Sequence, residues 1–127
     1  MTESKLLSRA AILEVADVQQ EDVDVPEWGG VVRVRGLTAR ERDAFEGTVV
    51  QAQGNRITRN TANISARLLC LTAIDEDGNL LFTQDDAEAL GNKSGEAMTR
   101  VTRVILRLSG MAPDSLEEAT ENLDGGQ

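Results

Sequence analysis

The chain has no histidine and no tyrosine, a single cysteine, two prolines and only Phe45, Phe82 and Trp28 as aromatics. Without histidine, the commonest general base and the commonest metal ligand are both missing. One cysteine cannot close an internal disulfide. Cys70 lies in the apolar run ARLLCLTAI, where a buried structural thiol is expected instead of the open cationic setting that makes a reactive thiolate. A lone thiol also fits a reducing cytoplasm. No stretch approaches the ~20 apolar residues of a membrane span, and charges interrupt the apolar N-terminal segment, which carries no clear signal-peptide cleavage pattern. A soluble, cytoplasmic protein without a membrane partner is expected. The shortage of aromatics leaves a core of Leu, Ile, Val and Ala. It also leaves no stacking platform beside the arginines, and the net charge of −9 opposes a polyanion, so nucleic acid is not an expected partner.

What is present fits one small domain. At 127 residues and 40% hydrophobic, the chain is long enough to bury a core without metals or disulfides. The expected class is α+β, mainly α: a small helical domain with an N-terminal β-hairpin and a disordered acidic C-terminal tail. The domain is expected over 1–112 and the flexible tail over 113–127. A short helix is expected over 3–11, capped by Thr2 or Ser4, with Leu6, Leu7, Ala10 and Ala11 on its apolar face. DVDV and VVRVR alternate in period two and are joined by PEWGG, which predicts a hairpin over about 22–35 with Val32 and Val34 on one face and Arg33 and Arg35 on the other. Helices follow over about 38–53, 60–74, 83–90 and 94–109. Thr38 and Glu41 form a capping box for the first, with Phe45, Val49 and Ala52 at helical spacing. Gly54-Asn55 is its expected stop, RITRN a connection, and Asn60 or Thr61 the start of the next helix. Thr83 and Asp86 open the third and Ser94 caps the last. In that last helix Ala97, Met98, Val101, Val104, Ile105 and Leu108 form the core face and Arg100, Arg103 and Arg107 the other side; Gly110 ends it.

Charge is uneven. Residues 14–27 carry six acids and no base, 28–74 seven arginines against three acids, and 113–127 five acids and no base. Such segments are either solvated faces or complementary patches for self-association, and a homo-oligomer is expected.

Enzymatic motifs fail on inspection. DEDGN aligned as a calcium loop places Ala73 at the first ligand position and Gln84 where a bidentate glutamate is required, so it reads as a turn. There is no GxGxxG and no Walker sequence. The serines have no histidine to activate them, and Lys5 and Lys93 lie on polar segments. No catalytic, metal or cofactor residue is expected.

VDVPEWGGVVRVRGLTARERDAFE at 23–46 resembles the N-terminal signature of the tail assembly chaperones of long-tailed bacteriophages and prophages. The resemblance continues over 66–111, with an apolar helix, an acidic-glycine turn, LF before a Thr-capped acidic helix, and a last helix ending at LSG. It implies a non-enzymatic, cofactor-free protein of the host cytoplasm. Such a protein binds the tape measure protein, keeps it soluble, promotes tail tube assembly with the tube protein as a further partner, and is missing from the mature virion. This chain would correspond to the family's short form. A structural tail or head–tail completion protein of the virion is the competing reading. Trp28, Arg33 and Arg35 are the candidate partner-binding residues. Trp28 is either an interface anchor at the hairpin tip or a lid folded back over the core.

Overall fold

The computed structural model describes residues 5–111. The tail expected over 113–127 and the start of the helix expected over 3–11 lie outside them. Strands β1 (Gln20–Val25) and β2 (Gly30–Arg35) form the expected antiparallel hairpin, with Val23 opposite Val32 and Asp22 opposite Arg33. Its turn is a 3-10 segment, Pro26–Trp28, closed by Gly29 at φ 78, where a side chain would be strained. Alternation decides the faces: Val23, Val25 and Val34 are buried inward, while Asp22, Asp24 and Arg33 stand on the outer face. A two-residue strand, β5 (Ala73–Ile74), adds to β2 and completes a sheet of order β1-β2-β5.

An isolated hairpin is marginal in water. This one is covered on its inner face by α5 (Gly95–Leu108), which also packs on α3 (Ile64–Thr72). Leu68 and Leu69 of α3 and Ile105 and Leu106 of α5 are all 2% exposed or less and form the centre of the core. The buried arc of α5 is Ala97, Met98, Val101, Thr102, Ile105 and Leu106. Thr102 and Leu106 replace Val104 and Leu108, which are only partly buried, because the helix is covered from two sides, by the sheet and by α3. Its end is a Schellman turn: the Met111 N–H donates to Leu106 O at 2.8 Å, the Gly110 N–H to Arg107 O at 3.2 Å, and Gly110 has φ 73.

The middle of the chain departs from the sequence expectation. Helix α2 (Ala39–Val49) keeps its Thr38–Glu41 capping box but stops at Val49. Residues expected as its last turn and as a connection instead form a second hairpin, β3 (Val50–Gln53) with β4 (Arg56–Arg59), around Gly54 at φ 60. The β-branched run Thr48-Val49-Val50 disfavours helix and suits a strand. Asn60 and Thr61 do not open the next helix; it begins after Asn63, whose φ of 51 is left-handed. The Asn63 side-chain amide donates to Ala87 O at 2.6 Å and joins α3 to α4 (Ala87–Leu90). Helix α4 follows a 3-10 turn, Gln84–Asp86, that carries the Thr83–Asp86 capping box. Helix α1 is Arg9–Glu14, shifted towards the C-terminus and capped by Ser8, with no buried residue.

Candidate partner-binding site

The three residues singled out from the sequence occupy different settings. Trp28 lies on the 3-10 turn, half-buried, and packs against the core, so the indole closes the end of the hairpin. Glu27 beside it reaches α5, where both Arg100 guanidinium nitrogens donate to its carboxylate at 2.7 and 2.9 Å. That bidentate pair holds the Glu27 carboxyl well below its usual range, at about 2. Arg33 pairs across the strands with Asp22, Nε to Oδ1 at 2.7 Å and Nη2 to Oδ2 at 3.2 Å, on the exposed outer face. Arg35 is half-buried. Its guanidinium donates to Glu41 at 2.8 and 2.9 Å and to Gly36 O at 3.0 Å. Glu41 also receives the Thr38 N–H at 2.9 Å. One carboxylate thus joins strand β2 to the capping box of α2, and Arg35 is spent on the fold.

The acidic segment 14–27 is neutralised in part within the chain, by Arg33 of β2 and by arginines of α5. Besides the pairs above, Arg107 donates to Glu21 at 2.6 Å. Arg67 donates to Asn60 O, Ala62 O and Thr48 Oγ1 at 3.0, 3.1 and 2.6 Å, and its guanidinium lies 5.6 Å from the Phe45 ring centroid. It clamps the base of the second hairpin, where the Asn60 N–H also donates to Val49 O at 2.7 Å. Cys70 is buried, and desolvation pushes its thiol pKa up. The DEDGN segment is a turn: Asp75 Oδ1 accepts the Asp77 and Asn79 N–H groups at 2.8 and 3.0 Å. Among the described residues no group of three or more acidic or cysteine side chains is placed to hold a metal ion, and no helix is long and apolar enough to cross a membrane.

Among the described residues three apolar surfaces are left exposed. The first is the arm before β1, where Leu6 is 98% exposed and Leu7, Ile12, Leu13, Val15 and Val18 are all exposed. The second is the β3–β4 hairpin, with Val50 and Ile57 exposed; the third is the outer face of the sheet, with Val31, Leu80 and Leu81. Sequence reasoning read the arm's leucines as a helix face and found neither of the other two. Only burial in three dimensions separates such residues from a core.

A family model described as phage tail assembly chaperone matches residues 7–122. The chain belongs to the phage tail assembly chaperone family. It is therefore a non-enzymatic assembly factor. No curated protein and no solved structure matches it. Tail assembly chaperones serve tail proteins, so its exposed apolar surfaces are read as protein-binding surfaces.

Proposed function

We propose that this tail assembly chaperone binds the tape measure protein, keeps it soluble and promotes tail tube assembly around it. In this reading it acts in the host cytoplasm and is left out of the finished virion. The arm is the observation that carries the reading. Six large aliphatic side chains at 6–18 are exposed, on a segment whose only helix, six residues long, is too short to be stable alone in water. A tape measure is a long, apolar-rich, helical chain, and an amphipathic arm gives it apolar contact. The net charge of −9 keeps the complex dispersed. Trp28 and Arg33 extend the surface at the first hairpin; Arg35 contributes by holding that hairpin on α2.

Co-expression with a tape measure fragment tests this. The full chain is expected to keep the fragment in the soluble fraction and to co-purify with it. A chain lacking residues 1–18 is expected to fold and to lose both properties. Equal solubilisation by the truncated chain would remove the arm from client binding, and failure of the full chain would remove the tape measure as client.

A further inference from the structure

Charge sorts the three exposed apolar surfaces. The arm runs into the stretch 14–27, which has six acids and no base. The groove on the outer face of the sheet is bordered by Asp22, Asp75 and Glu76, with Arg33 already paired to Asp22. The β3–β4 hairpin differs from both, because residues 47–74 contain three arginines and no acid. Its register sets Val50 opposite Arg59 and Ala52 opposite Ile57, so these four positions share one face. Val50 and Ile57 are 46% and 64% exposed. Two strands alone in water are marginal, and among the described residues this face is left open.

The chain itself carries a matching segment. Residues 112–127 follow the last described residue and hold five acids and no base. Within them Ala112, Leu116, Ala119 and Leu123 recur at i, i+4, i+7 and i+11, one stripe of a helix, and Asp114, Glu117, Glu118 and Glu121 fall off that stripe. Ser115 and Glu118 have the spacing of a capping box. A helix of this length is marginal in water without a surface to pack on. The family match runs through the stripe, to residue 122. The segment also starts close to α2: the Arg42 guanidinium lies 3.7 Å from the Cβ position of Gly110. From Arg42 to Val50 along the helix is about 12 Å. Residues 112–114 extended span about 10 Å and a helix over 115–123 about 13 Å, enough to carry both leucines to the hairpin.

We propose that residues 112–123 fold back as an amphipathic helix onto the β3–β4 hairpin of their own chain, with Leu116 and Leu123 against Val50 and Ile57. The two acidic apolar surfaces repel this segment, and the acid-free hairpin attracts it. The attraction needs no direct ion pair, since both faces of a two-stranded hairpin lie within a Debye length of the helix, about 8–10 Å at 0.1–0.15 M salt. The contact is small, and the tether supplies the effective concentration that keeps it formed. The segment is thus a cover: a protein that uses the hairpin face must first displace it.

A nitroxide on Asn122→Cys tests it by nuclear magnetic resonance of the full chain, since Cys70 is buried and does not take the label. The amides of 50–59 are expected to broaden, and those of the arm and of the outer groove to stay sharp. Leu116→Asp combined with Leu123→Asp leaves the core untouched. It is expected to remove the broadening and, without the label, to speed amide hydrogen exchange at 50–59 about tenfold. High salt is expected to reduce the broadening. Nitroxide-labelled chain mixed with isotope-labelled, nitroxide-free chain is expected to show none, because the contact lies within one chain. Sharp amides at 50–59 in the labelled chain overturn the proposal, as does broadening at the arm or the groove in their place. Equal broadening in the mixture also overturns it and would mark a contact between copies. The broadening is expected to persist after removal of residues 1–18, which separates this contact from client binding by the arm.

Discussion

Single residues join the two halves of the fold at the start of α2. A Cβ on Gly36 would sit 2.5 Å from the backbone oxygen of Leu108, so the sheet and the end of α5 approach closely only because this residue has no side chain. Gly36→Ala is expected to destabilise by about 1–3 kcal/mol in chemical denaturation, as overpacking against backbone does. Gly47, inside α2 with open space around its Cβ direction, is the contrasting case, and Gly47→Ala is expected to stabilise by about 0.4–1 kcal/mol. The Ser109 hydroxyl accepts the Leu37 N–H at 2.9 Å and donates to Ile105 O at 2.7 Å; this is the structural use of the serine in the LSG ending. Glu41 makes the same junction sensitive to acid. Its pairing with Arg35 lowers its pKa from 4.5 to about 2. Above pH 4.5 the carboxylate is charged whether the chain is folded or not, and the pair contributes in full. Below that the unfolded chain takes up the proton first, so the stabilisation fades as pH falls and is gone below about 2. Glu41→Gln is expected to flatten the acid limb of stability against pH over that window. An acid limb as steep as the parent's would assign the sensitivity to other carboxylates.

At the scale of elements, what could be read from sequence followed the strength of local signals. The first hairpin, the Thr38–Glu41 box, the Ser94 cap and the Gly110 stop are short-range patterns with one physical meaning each, and the structure has all of them. The second hairpin was missed because its signal has two meanings. Phe45, Val49 and Ala52 are spaced as on a helix, and Gly54-Asn55 serves equally as a helix stop or as a hairpin turn. The β-branched run before it was the available hint. The pairing of Glu27 with Arg100 and of Glu21 with Arg107 joins positions 73 and 86 residues apart, and no local pattern carries that. Exposure of the arm was equally illegible, since Leu6, Leu7, Ile12 and Leu13 have the composition of a core face. Because α1 buries nothing, removing residues 1–18 is expected to leave the thermal midpoint nearly unchanged. A large drop would show that the arm packs on the domain in solution. Arg67 makes the opposite kind of contribution. Arg67→Ala removes the clamp on Thr48, Asn60 and Ala62 and is expected to speed amide hydrogen exchange across 50–59, with little change in α5.

For the molecule as a whole, the proposed client surface is the arm at 6–18. In the proposed reading the arm provides apolar contact for the tape measure. That contact is small, and a long client can offer it to many copies along its length. The number of copies bound to a tape measure fragment is therefore expected to rise with fragment length. Removal of residues 1–18 is expected to abolish that binding, as read by calorimetric titration against fragments of increasing length. Mass spectrometry of purified virions is expected to find the chain missing or far below the copy number of the tube protein. Recovery at a fixed, near-stoichiometric number per particle would instead make it a structural completion protein of the tail.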